Sequence, residues 1–68
     1  MELHDRIHMA RRHAGLTQQQ CADTVGVALS TWKNWESGKV SPRVDALTAF
    51  AHAAGVHLHD LIEPENSR

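Results

Sequence analysis

The chain contains one cysteine, Cys21, so no disulfide can close within it. A chain of 68 residues therefore lacks the usual staple of small folds, and a core of this size supplies only about 3–5 kcal/mol. Self-association is a physical expectation for such a chain. Long hydrophobic runs are missing too. None approaches the ~20 residues needed to span a bilayer, and the acidic start Met1-Glu2-Leu3-His4-Asp5 is unlike a signal peptide. No membrane association is expected, and the cytoplasm is the expected address. An alternating strand pattern, an internal repeat, a glycine-rich phosphate loop and a credible nucleophile pair are likewise absent. These absences point away from an enzyme. What is present is ordinary for a globular domain: 41% apolar and 22% charged residues, unlike a disordered or collagen-like chain.

A net charge of −1 hides an uneven distribution. Residues 6–43 carry Arg6, Arg11, Arg12, Lys33, Lys39 and Arg43 against Asp23 and Glu36, a surplus of +4. Residues 44–68 carry Arg68 against Asp45, Asp60, Glu63 and Glu65, or −3. A basic middle beside an acidic end suits a protein that binds a polyanion on one face.

Glycines at 15, 26, 38 and 55 cut the chain into helix-sized pieces, because glycine readily takes the left-handed conformation just past a helix end. Leu3, Ile7, Ala10 and Ala14 form one face of a first helix that ends near Ala14. Thr17-Gln18-Gln19-Gln20 has the form of a capping box, so a second helix starts at Gln18 and buries Cys21, Ala22 and Val25. A third helix is expected from Ala28 to Glu36, with Trp32 as core and Trp35 half-buried. Its Leu29, Ser30, Lys33 and Asn34 fall on another face. Ala28 stands where a serine or threonine cap is preferred, which leaves the first N–H groups of that helix open to an outside acceptor such as phosphate. Ser41-Pro42 reads as the cap and first residue of a fourth helix, with Val44, Leu47, Phe50, Ala51 and Ala54 inward. Val56 to Ile62 makes a short fifth helix, and Pro64 to Arg68 a polar tail. The expected organisation is one domain over residues 1–63 and a tail over 64–68.

Two short helices joined by a tight glycine-containing turn form a helix-turn-helix, whose second helix can enter the ~12 Å major groove of B-DNA. Arg11, Gly15-Leu16-Thr17-Gln18, Ala22, Val25-Gly26-Val27, Trp35-Glu36-Ser37-Gly38-Lys39, Pro42, Leu47, Ala51 and Gly55-Val56 carry a resemblance to the lambda Cro/phage-repressor (XRE-type) family over about residues 6–62. The resemblance implies an all-α, five-helix, lambda-repressor-like fold and a dimeric regulator that binds a palindromic operator in double-stranded DNA. It further implies an ion pair between Arg11 and Glu36, and base-reading positions at Ala28, Leu29, Ser30, Lys33 and Asn34. Phosphate contacts are implied at Thr17 and Gln18, where helix 2 begins, and at Ser37, Lys39 and Arg43. The side-chain types suit these roles: Asn34 can pair with adenine, Lys33 with guanine or phosphate, and Leu29 with a thymine methyl.

Cys21 falls on the inner side of its helix and reads as a small buried apolar residue rather than a catalytic thiol. Among six histidines, His4 and His8 are spaced to share a metal on one helix, but no further ligands recur at finger-like spacing. Neither a metal nor another cofactor is expected. His52, His57 and His59 lie near the expected dimer end, where titration would make assembly pH-sensitive. Leu58, His59 and Ile62 are the expected dimer contact. The expected function is a homodimeric transcriptional regulator, a prokaryotic or phage-encoded repressor acting on its own promoter. The rival is an antitoxin that binds a toxin protein as well as DNA.

Overall fold

The computed structural model describes residues 2–62; the expected tail lies outside the described residues. Five helices follow one another: α1 (Leu3–Ala14), α2 (Gln18–Val25), α3 (Leu29–Ser37), α4 (Val44–Ala54) and α5 (Leu58–Ile62). There is no strand among the described residues. The fold is all-α. Helix starts follow local chemistry. Glu2 and Asp5 form a reciprocal capping box on α1, and Thr17 and Gln20 form another on α2, each satisfying N–H groups that the helix itself cannot. Helix α3 opens at Ala28 with no side-chain cap.

At Gly26 the backbone takes φ 80°, and the N–H of Val27 then bonds back to the carbonyl of Ala22 at 2.9 Å. This left-handed turn lets α3 follow α2 after three residues. Helix α2 packs on α3 and α4, while α1 packs on α3, α4 and α5. The core comprises Ile7, Cys21, Ala22, Trp32, Trp35, Leu47, Phe50, Ala51 and Leu61. Trp32 lies at its centre, 5.8 Å from the Trp35 ring and 5.0 Å from Phe50, both tilted as aromatic quadrupoles prefer.

Several boundaries differ from the sequence reading. Helix α4 starts at Val44 with Arg43 as its N-cap, not at Ser41-Pro42. Proline's fixed φ suits an extended connection as well as a first helical turn, and here residues 41–43 cross from α3 to α4 without helical structure. Val44 is accordingly 62% exposed, and Ala46 packs on the core instead. Helix α5 begins at Leu58 rather than Val56, because the Val56 N–H is used to close α4 on the carbonyl of Ala51. Ala14 is exposed; after the turn, Leu16 packs on the core in its place. Trp35 is buried rather than half-buried.

Candidate nucleic-acid interface

Helix α3 divides into two faces. At 3.6 residues per turn, Leu29, Lys33, Ser37, Ser30 and Asn34 fall within an arc of about 140°, while Trp32, Trp35 and Glu36 fall on the remaining side, with Glu36 about 20° from Leu29. Burial follows this division. Ser30, Lys33 and Ser37 are exposed, and Leu29 and Asn34, at the edges of the arc, are half-buried. The other three are buried. Leu29 is not among the hydrophobic side chains packed on the core. An aliphatic residue thus stands at the rim of an outward, otherwise polar face.

Ala28 is exposed at the start of this face. Its side chain accepts nothing, and the first turn of α3 contains no acid, so the N–H groups and the positive end of the helix dipole are not neutralised from within. Thr17 and Gln18 stand at the start of α2, exposed and half-buried respectively. The Thr17 hydroxyl accepts from the Gln20 N–H at 3.0 Å, which leaves its own proton available to donate. Ser37 is different: its hydroxyl already donates to the Asn34 carbonyl at 3.2 Å. Lys33, Lys39 and Arg43 are exposed, and among the described residues none of the three is ion-paired. The Arg11–Glu36 pair cancels within the surplus of +4 over residues 6–43, which already counts both charges, so that surplus rests on the other basic side chains.

That pair is bidentate. Arg11 Nε donates to Glu36 Oε1 at 3.0 Å and its Nη2 to Oε2 at 2.9 Å, while Nη1 donates to the carbonyl of Leu16 at 2.9 Å. Two further donors converge on the same carboxylate: Trp32 Nε1 reaches Oε1 at 2.6 Å, and His8 Nδ1 hydrogen-bonds Oε2. Burial alone would raise the pKa of Glu36. The hydrogen bonds from Arg11, His8 and Trp32, with the charge of Arg11, outweigh it and hold the carboxyl down at about 2. The Trp32 contact has a sequence signal in its i,i+4 spacing to Glu36 and in the need of a buried indole N–H for an acceptor. His8 has no comparable signal.

Among the described residues no group of three or more His, Cys, Asp or Glu side chains converges as a metal site. His8 turns to Glu36, and His4 lies near Asp5 and against Gly38. Cys21 is buried, and burial first of all pushes its thiol pKa up, which suppresses the reactive thiolate. On α5, Leu58 is half-buried and packs on the chain's own core, whereas His59 and Ile62 are exposed. Of the expected pairing surface, two side chains point outward. No described helix is long and apolar enough to cross a membrane.

Residues 2–63 match a helix-turn-helix domain family. The chain is 31% identical over 61 residues to the cryptic phage CTXphi transcriptional repressor RstR of Vibrio cholerae, covering 90% of this chain and 54% of that protein. It is 29% identical over 65 residues to the HTH-type transcriptional activator BcrR of Enterococcus faecalis, covering 96% of this chain and 32% of that protein. The chain thus spans about half and a third of the lengths of these relatives. Among solved structures, a chain of the SinR–SinI protein complex superposes with a TM-score of 0.83 over 94% of this chain and 63% of its own length, at 23% identity. This last likeness concerns the fold.

Proposed function

Because the chain belongs to the helix-turn-helix domain family, in its lambda Cro/phage-repressor type, we propose that it reads a specific sequence in the major groove of DNA and regulates transcription by occupying that site. The observation that carries this reading is the outward arc of α3. Ser30, Lys33 and Ser37 are exposed and Leu29 and Asn34 half-buried at its edges, a face of mixed donor, acceptor and aliphatic character that begins at a helix N-terminus with no side-chain cap among the described residues. Ala28, Leu29, Ser30, Lys33 and Asn34 then meet base edges. Thr17, Gln18, Lys39 and Arg43 meet phosphates on either side and set the register. Ser37 joins them by donating its hydroxyl proton, which requires giving up its bond to the Asn34 carbonyl.

Two copies on a palindrome, with half-sites about one helical turn apart, double the contacts that one 68-residue chain can make. The outward His59 and Ile62 of α5 are the residues proposed to meet at the two-fold axis, with Leu58 supporting them from the core side. Such a dimer represses by covering a promoter, its own included, and works in the prokaryotic cytoplasm. Selection of bound duplexes from a random pool tests the reading: a recovered palindrome with half-sites one turn apart is the expected result. Binding that is indifferent to sequence at every salt concentration overturns it. Purification from the native source with an unrelated subunit at fixed stoichiometry would favour the antitoxin reading instead.

A further inference from the structure

Glu36 has more partners than an ion pair requires. An ionised carboxylate only accepts hydrogen bonds, so His8 must carry a proton on Nδ1 to contact Oε2. Its Nε2 has no partner among the described residues. The side chain of His8 is 45% exposed and that of Glu36 only 6%, so the imidazole lies over the edge of a carboxylate that is otherwise enclosed.

Arg11 and His8 are three residues apart on α1, hence neighbours on one face of that helix. Each reaches across to α3. Trp32 belongs to α3 itself and cannot set that helix against another. Both donors hold the same carboxylate, Arg11 through both oxygens and His8 through Oε2 from one turn away on α1, so the second donor restricts how the Glu36 side chain, and α3 with it, turns relative to α1.

We infer that His8 is a positioning residue for the recognition helix: its Nδ1–H on Glu36 fixes the angle of α3 against α1, so that the outward arc of α3 enters the groove in one register. The inference rests on the DNA-reading function proposed above. Small misplacements of contacting groups are costly in such an arrangement, because bidentate base contacts depend on alignment.

Two substitutions separate this role from mere packing. His8→Asn places an amide nitrogen at the same number of bonds from the backbone as Nδ1, while His8→Phe keeps a ring and removes the donor. In the full chain, the strongest duplex recovered by selection is compared with a scrambled duplex of equal length at fixed salt. His8→Phe is expected to lower the preference between them about tenfold, the size of one hydrogen bond to a charged group, with little change in binding to the scrambled duplex. His8→Asn is expected to restore most of it. Without DNA, hydrogen exchange at the amides of residues 36–38 is expected to quicken in His8→Phe and to recover in His8→Asn. Equal behaviour of the two variants in both measurements overturns the inference, whether both match the wild type or both fall. A wild-type chain with no duplex preference would sink the DNA-reading function instead, and the exchange rates alone would then decide whether His8 holds α3.

Discussion

At the start of α3, Ala28 offers no side-chain acceptor and the first turn holds no acid; at its end, Glu36 takes hydrogen bonds from three side chains, two of them on α1. Ala28 is exposed and Glu36 is buried. An element that meets an external ligand needs unsatisfied groups on one side and a rigid support on the other. Here the two requirements are separated along nine residues of one helix.

The clamped end should give the largest effect. Glu36→Ala removes the acceptor of Arg11, His8 and the buried Trp32 indole, and leaves the Arg11 cation, its side chain 13% exposed, without a counter-charge. The expected cost is about 3–5 kcal/mol, comparable with the whole stability of a small core. Circular dichroism should therefore show a chain largely unfolded at room temperature, and a cooperative transition near the wild-type midpoint would contradict the clamp. Acid tests the same end without mutation. The folded pKa of about 2 lies below the ordinary 4.5, so the stabilisation is complete above pH 4.5 and is lost as pH falls toward 2. Denaturant titrations across that window should show a loss of about 3 kcal/mol that is absent from Glu36→Gln.

The open end and its arc should respond differently. Asn34→Ala is expected to cost roughly 1–3 kcal/mol at one base-pair position and to relax specificity there, whereas Lys39→Ala weakens binding to every duplex and lowers the salt slope by about 1. Equal losses from both changes on selected and random DNA would erase the distinction between reading and positioning. Smallest in size is Ala28→Ser. A cap at this position should stabilise the free chain by about 1 kcal/mol while weakening DNA binding, because the serine oxygen competes for the same N–H groups. If both stability and affinity rise, the open N-terminus is not a phosphate site.

Helix existence and order were legible from local patterns. Gly15, Gly26, Gly38 and Gly55 all adopt positive φ, and the Thr17–Gln20 box forms, because these features depend on residues within one turn of each other. Ser41-Pro42 misled, since the same dipeptide fits a helix start and an extended connection and only the path from α3 to α4 distinguishes them. Periodicity alone puts Val44 in the core, whereas at the start of α4 no neighbour covers it and it is exposed. The outward face of α3 follows from helical spacing once Trp32 and Trp35 are assigned inward. The Arg11–Glu36 contact came from family resemblance, and no property of either residue alone points to the other.

The amino-acid order by itself determined where the helices start and stop and which arc of α3 is polar, for these are contests among groups within about four residues of one another. The tertiary structure decided how Glu36 is held: His8 and Glu36 are 28 positions apart, and only the packing of α1 on α3 brings the imidazole over the carboxylate. Hydrogen bonds act over about 3 Å, so a contact between distant residues exists only after the backbone has been placed by other forces.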